Sequence, residues 1–265
     1  LLFNLNGHVT AHLGMGHPWY GYFLLSWFVL FVLELAEGRA GFGQAGRIAL
    51  VLFLILIQGS FHIVTWCLLL LGLMVLFSRG LRRTCLLAGL LTGLLGAVRY
   101  LPAAVAFGEA PRYRFIGGYR SLWDLFEAFV TIREADAFKI GGAFGRMGWW
   151  EYDLYTGIAA LLVIVFLGVV VRRRKGWALA QGRFAALDLP LLVMAFLSMS
   201  YFYAVVVRLP LPLLNAERAA SRFMLVPFLL LLAIASLRIE EGCDKLARFR
   251  AWRWLAVPLL AETAF

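Results

Sequence analysis

Long apolar runs, broken by short arginine-rich turns, constrain this chain more than any other feature. Eight such runs can be marked off: Pro18–Ala36, Gln44–Gln58, His62–Ser78, Thr84–Phe107, Tyr152–Val171, Leu187–Val207, Phe223–Ile239 and Arg253–Phe265. A helix of roughly 20 apolar residues crosses the hydrocarbon core of a bilayer. With 63% hydrophobic and only 15% charged residues, the chain lacks the polar surface that a soluble domain of this size needs. The expected fold class is therefore all-α: a polytopic transmembrane helical bundle of about eight spans, forming one membrane domain over residues 1–265. Leu1 already sits in apolar sequence, and Trp254–Phe265 has the composition of half a span, so the chain is expected to be a piece of a longer protein.

The formal net charge of +10 suits a cytoplasmic arginine excess better than a nucleic-acid partner, and none is expected. Residues 44–78 allow two arrangements: a hairpin turning at Gly59-Ser60, or one long kinked helix that reverses everything downstream. Only the hairpin puts Arg79/Arg82/Arg83 and Arg172-Arg173-Arg174-Lys175 on the same side. Dense basic clusters in short loops mark the cytoplasmic face. The hairpin thus sends His8, His12, His17, His62, the long loop 108–151 and the loop 208–222 to the opposite face. Within the long loop, Ser121–Ile132 repeats apolar residues at helical spacing and is expected to lie along the membrane surface. Asp124, Glu127, Glu134 and Asp136 are expected to form its solvated side.

Charged groups in or beside spans are functional candidates by default. Arg99, on the outer half of its span, is either a snorkelling or paired arginine or a cation facing a phosphate. Arg208, Glu217, Arg218 and Arg222 concentrate at the outer ends of two spans, where arginine suits bidentate phosphate recognition. The competing explanation there is interfacial anchoring, with Glu217 paired locally. Glu151 and Asp153 stand beside Trp149 and Trp150, a pattern that fits a glycan site or an aromatic belt.

His8 and His12 are four apart and share a helix face, but no acidic ligand lies nearby, so no metal is expected. Cys67, Cys85 and Cys243 show neither metal nor disulfide spacing. Gly89, Gly93 and Gly96 read as a close helix-packing face. Nucleotide-binding motifs are missing from the sequence, and no cofactor is expected.

The ordered segments NGHVTAHLGMGHPWYGYFLLSW, LILIQGSFHIVTW, AVRYLPAA, WWEYDLYTGIAALLVIVFL and ERAASRFMLVPFLLLLA resemble the membrane domain of bacterial GT-C-superfamily proteins, in particular the YfhO-like group. The resemblance runs across nearly all of residues 4–239. It implies a glycosyltransferase of the bacterial inner membrane that takes sugar from a polyprenyl-phosphate carrier on the non-cytoplasmic face. Arg218 and Arg222 match the family's paired arginines, and Glu151 matches the acidic residue before the following span. Arg99, Arg218 and Arg222 would then bind phosphate, with His8, His12, His62 and Glu151 lining the outer cavity. Two departures stand out. Ala220 replaces the usual proline, and the outer loop bearing the catalytic acid would lie upstream of Leu1. Two other functions compete: a non-catalytic subunit held by partner subunits in a membrane complex, and a transporter of lipid-linked substrates.

Overall fold

The computed structural model describes residues 7–14, 21–107, 117–134, 138–140, 146–170, 184–208 and 217–246. Its elements are α1 (Gly7–Gly14), α2 (Tyr22–Ala36), α3 (Phe42–Ile57), α4 (Phe61–Phe77), α5 (Arg82–Phe107), α6 (Leu122–Val130), α7 (Ile158–Val163), α8 (Asp188–Leu197), α9 (Ser200–Val206) and α10 (Leu225–Leu246). A tight 3-10 turn, Arg79–Leu81, leads into α5; another, Ala220–Met224, leads into α10; and α7 continues as a π-helical stretch, Ile164–Val170. One short antiparallel hairpin, β1 (Phe138–Ile140) with β2 (Arg146–Gly148), interrupts the helices.

Polar ties at the helix ends fix the direction of each helix. Gln44 Nε2 donates to Phe31 O and Glu34 Oε2, so the end of α2 meets the start of α3. Gly41 N donates to Thr84 Oγ1, while Gly96 lies against Leu56, so α3 and α5 run side by side in the same direction. Arg82 Nε donates to Val75 O, and the rings of Phe61 and Tyr100 meet edge-on at 6.2 Å, so α4 runs opposite to α5. The chain therefore reverses between α3 and α4, as the hairpin requires. Gly59 turns it with φ +89, a left-handed conformation that favours glycine.

Further along, Ser78 Oγ donates to Ala186 O, placing the start of α8 beside the end of α4. Ser200 N, after α8, donates to Tyr119 O, and Tyr203 Oη donates to Glu217 O just before α10. Among the described residues, seven helical passes thus alternate between two ends. One end carries Arg39, Arg47, Arg79, Arg82 and Arg83. The other gathers Tyr22, His62, Tyr100 and residues 117–119, 149–157, 198–203 and 217–222.

Among the described residues, two helices, Arg79–Ala103 and Ala220–Glu240, are long and apolar enough to cross a membrane. Five other apolar helices, including α2, α3 and α4, are shorter. The 16 residues of α3 span only about 24 Å at the helical rise, less than a full hydrocarbon core. The expected run Tyr152–Val171 starts as a helix only at Ile158. The run Leu187–Val207 is broken at Ser198-Met199 into α8 and α9. The run Arg253–Phe265 and the cluster Arg172–Lys175 lie outside the described residues.

Residues 117–119 thread between two strand-like segments. Gly117 bridges to Ala219 and Tyr119 to Met199. Ser200 Oγ both accepts from Gly118 N and donates to Gly118 O. The backbone groups freed by the helix break are thereby satisfied, as buried peptide groups require. A Cβ on Gly118 would sit 2.5 Å from Ser198 O, so glycine is needed here for close approach.

Two expectations are overturned. Asp124 is buried, not solvated, because its carboxylate accepts from Arg120 N and Nε while its own N–H is capped by Ser121 Oγ. The outward face of α6 is instead apolar: Leu122 and Trp123 are exposed, with Phe126 packed near Trp123. In the glycine series only Gly96 makes a helix contact; Gly89 and Gly93 face open space.

Candidate functional site

A buried polar network fills the end of the bundle opposite the Arg39 and Arg79–Arg83 turns. At its centre Arg222 Nε and Nη2 donate to Glu151 Oε2 and Oε1, both at 2.6 Å, a two-pronged pairing. Arg222 Nη1 also reaches Glu217 Oε1 at 3.2 Å. All three side chains are buried. One guanidinium therefore stands between two carboxylates contributed by chain segments 71 and 5 residues away.

Local structure accounts for each placement. Glu151 ends the 3-10 turn Trp149–Glu151, and its carbonyl accepts from Ser221 Oγ, which holds that turn against the start of Ala220–Met224. Segment 149–157 is in turn docked on α6, with Leu154 N donating to Ala128 O and Thr156 N to Phe129 O. Tyr119 Oη adds a bond to Tyr152 O at 2.8 Å.

Glu217 collects more donors. Its Oε2 accepts from Trp66 Nε1 at 3.1 Å and lies 3.0 Å from His62 Nδ1; its Oε1 accepts from Ala219 N. Burial pushes its carboxyl upward, but the His62 bond, the Arg222 charge and the Trp66 bond outweigh it and hold it below the usual carboxylate value. His62 and Trp66 are one helical turn apart on α4, so both reach the same carboxylate. The His62 side chain is 45% exposed, whereas Glu217 is 2% exposed.

α1 closes the far side. Gly7 N donates to Tyr155 O, and Asp153 packs so tightly on Gly7 that a side chain there would collide with it. This seats His8 in the network, where Nε2 meets Tyr22 Oη at 2.9 Å and the ring stands edge-on to His12 at 4.4 Å. Burial, reinforced by the Arg222 charge and only partly opposed by Glu217, lowers the His8 pKa to about 3. His8 is therefore a neutral hydrogen-bonding group at physiological pH.

Of the residues singled out from sequence, His8, His12, His62, Glu151 and Arg222 meet in or beside this network. Arg99 and Arg218 are not among its buried members. Arg99 is exposed at the same end, its guanidinium 5.9 Å above the Phe61 ring. Arg218 is exposed too, although its neighbours Glu217 and Ala219 are buried. The pair Arg218/Arg222 is thus split: one cation faces outward while the other is taken up by carboxylates. Glu217, marked in the sequence as a local partner for arginine, joins the network through Arg222; Trp66, Tyr22 and Tyr203 were missed, and the four-residue step from His62 to Trp66 was the one available signal.

Among the described residues no group of three or more His, Cys, Asp or Glu side chains is placed to hold a metal. A groove of about 720 Å3 runs between α2 and α10, lined by residues such as Leu30, Leu33, Leu229 and Leu232, with Glu34 and Glu240 at the Arg39 end. It lies away from the network, so the chemistry-bearing residues and this groove are separate features. No family model, characterised protein or solved structure matches the chain.

Proposed function

We propose that the chain is the helical membrane domain of a GT-C-like glycosyltransferase that uses a polyprenyl-phosphate-linked sugar on the non-cytoplasmic face. The observation that supports this most is convergence. Residues as distant as His8, His62, Arg99, Glu151 and Arg222 come to one end of alternating apolar helices. The basic turns at Arg39, Arg47 and Arg79–Arg83 occupy the other end, which the positive-inside rule assigns to the cytoplasm. The membrane concerned is then the bacterial inner membrane.

In this function Arg218 and Arg99 are the carrier-phosphate ligands, because both are exposed. Arginines there would stabilise the charge left on the departing phosphate. Arg222 plays a different part: already paired with two carboxylates, it fixes Glu151 and Glu217 in place. The test is transfer from a radiolabelled polyprenyl-phosphate-linked hexose by protein in proteoliposomes. Wild-type transfer that falls in Arg218→Ala and Arg99→Ala supports the function; no transfer by the wild-type protein rejects it.

The closed Glu151–Arg222–Glu217 cluster also favours a second reading, a non-catalytic subunit of a membrane complex. A buried ion cluster of this kind ties chain segments together without any substrate. Partner subunits that co-purify in fixed stoichiometry, with no sugar transfer, would select that reading. A transporter of lipid-linked substrates fits less well: such proteins break helices near the bilayer midplane, whereas the Ser198-Met199 break lies at the end that holds the network.

A further inference from the structure

We propose that His62 and Glu217 form a catalytic dyad in which His62 is the general base for the acceptor hydroxyl; this rests on the transferase function above. The geometry is that of a carboxylate-oriented imidazole. Glu217 is buried and His62 Nδ1 lies 3.0 Å from its Oε2, while the imidazole is 45% exposed. Because Glu217 is held ionised and can only accept, Nδ1 carries the proton. That leaves Nε2 as the basic nitrogen of the ring.

The carboxylate behind the imidazole is itself immobilised. Trp66 Nε1, Ala219 N and Arg222 Nη1 all donate to it, and Tyr203 Oη holds its backbone carbonyl. Such support fixes the ring within the small angular range that proton transfer needs. The charge balance is favourable as well. Glu151 and Glu217 formally outnumber Arg222 by one negative charge, which stabilises the imidazolium formed at His62. The other titratable groups in the network, His8, His12, Tyr22 and Tyr203, are buried, and Arg99 lies over neighbouring Phe61.

The step balances without any co-reactant beyond donor and acceptor. His62 Nε2 takes the proton of the acceptor hydroxyl as its oxygen bonds to the anomeric carbon of the sugar. The bond from that carbon to the carrier-phosphate oxygen breaks, and its electron pair leaves with the phosphate. The imidazolium then returns its proton to water.

The experiment uses proteoliposomes and a radiolabelled polyprenyl-phosphate-linked hexose, with loss of label from the lipid as readout. His62→Ala should lower kcat by roughly 100-fold or more, the range for a lost general base, and leave KM for the lipid nearly unchanged. Added imidazole should restore part of the rate, and the acid-side decline of the wild-type pH profile should disappear in the variant. Those effects require a proton-transfer role, and a merely structural histidine would not produce them. His62→Ala that turns over at the wild-type rate with the wild-type pH profile overturns the dyad but leaves the transferase function standing. Failure of the wild-type protein to release label overturns both.

Discussion

Arg222 and Glu151, 71 residues apart in sequence, face each other with two parallel hydrogen bonds of 2.6 Å inside the bundle. This pairing joins the turn before α7 to the turn before α10. A buried ion pair contributes little net stability compared with a well-packed apolar pair, yet losing one partner leaves an unpaired buried charge. Arg222→Met alone should therefore destabilise the protein by about 3–5 kcal/mol. The double variant Glu151→Leu/Arg222→Met should recover a large part of that loss. Denaturant unfolding in detergent, read as a double-mutant cycle, checks this; strictly additive losses would contradict it.

Acid should loosen the same end of the molecule. Glu217 is held below the usual carboxylate value, so its contribution is complete above that value and fades as the pH drops through the lowered one. His8, with a pKa of about 3, works in the same direction: its stabilisation is complete above its ordinary value of 6.5 and is lost progressively as the pH falls toward 3. Thermal midpoints should thus decline from pH 7 to pH 4, and His8→Gln should flatten the part of the decline that begins near 6.5. A midpoint independent of pH would refute this coupling.

Two glycine substitutions should behave in opposite ways. Gly118→Ala puts a methyl group 2.5 Å from Ser198 O and 3.0 Å from Ala220 Cβ, forcing apart the 117–119 and 198–200 segments. The expected cost is about 1–3 kcal/mol. Gly89→Ala meets nothing within 4 Å on α5 and should be neutral or stabilising by up to about 1 kcal/mol. Equal effects in a thermal-shift comparison would show that the 117–119 clamp is not closely packed.

Arg99 and Arg218 should govern binding, whereas Arg222 should govern folding. Arg218→Ala and Arg99→Ala should leave the thermal midpoint nearly unchanged because both side chains are exposed. Each should raise the KM for a polyprenyl-phosphate-linked sugar by about 10- to 100-fold, in line with one lost charge-assisted contact of about 1.5–3 kcal/mol. If either variant instead unfolds the protein, its arginine belongs with Arg222 as a structural group.

The helices were largely legible in the sequence, because an apolar run broken by Arg79–Arg83 or by Gly59 carries its own boundaries. The hairpin at Gly59-Ser60 was reachable from charge placement alone, and the structure reverses the chain there. The break at Ser198-Met199 was not legible. It depends on hydrogen bonds from residues 117–119, and no property of Ser198 or Met199 by itself announces a remote partner. The orientation of α6 was misread for a related reason. A carboxylate such as Asp124 normally seeks solvent, and only the donors of Arg120 and the cap at Ser121 make its burial tolerable.

The site was half legible. His62, Glu151 and Arg222 stood out as charged or titratable groups beside apolar runs, but their mutual pairing is a tertiary property. Composition treats Arg218 and Arg222 alike; one turn of backbone sends the first outward and the second between two carboxylates. Glu217 looked like a local partner for arginine and proved to be tied also to α4 through His62 and Trp66.

The most direct test is the side of the membrane on which each end of the bundle lies. Single cysteines placed at Arg218 and at Arg39, in a background lacking Cys67, Cys85 and Cys243, can be labelled with a membrane-impermeant maleimide in intact bacterial cells whose outer membrane has been permeabilised. The cysteine at 218 should react from outside the inner membrane, and the one at 39 should react only after the cells are lysed. Reaction of the position-39 cysteine from outside, with the position-218 cysteine protected, would place the buried network on the cytoplasmic side and contradict an outward-facing transferase.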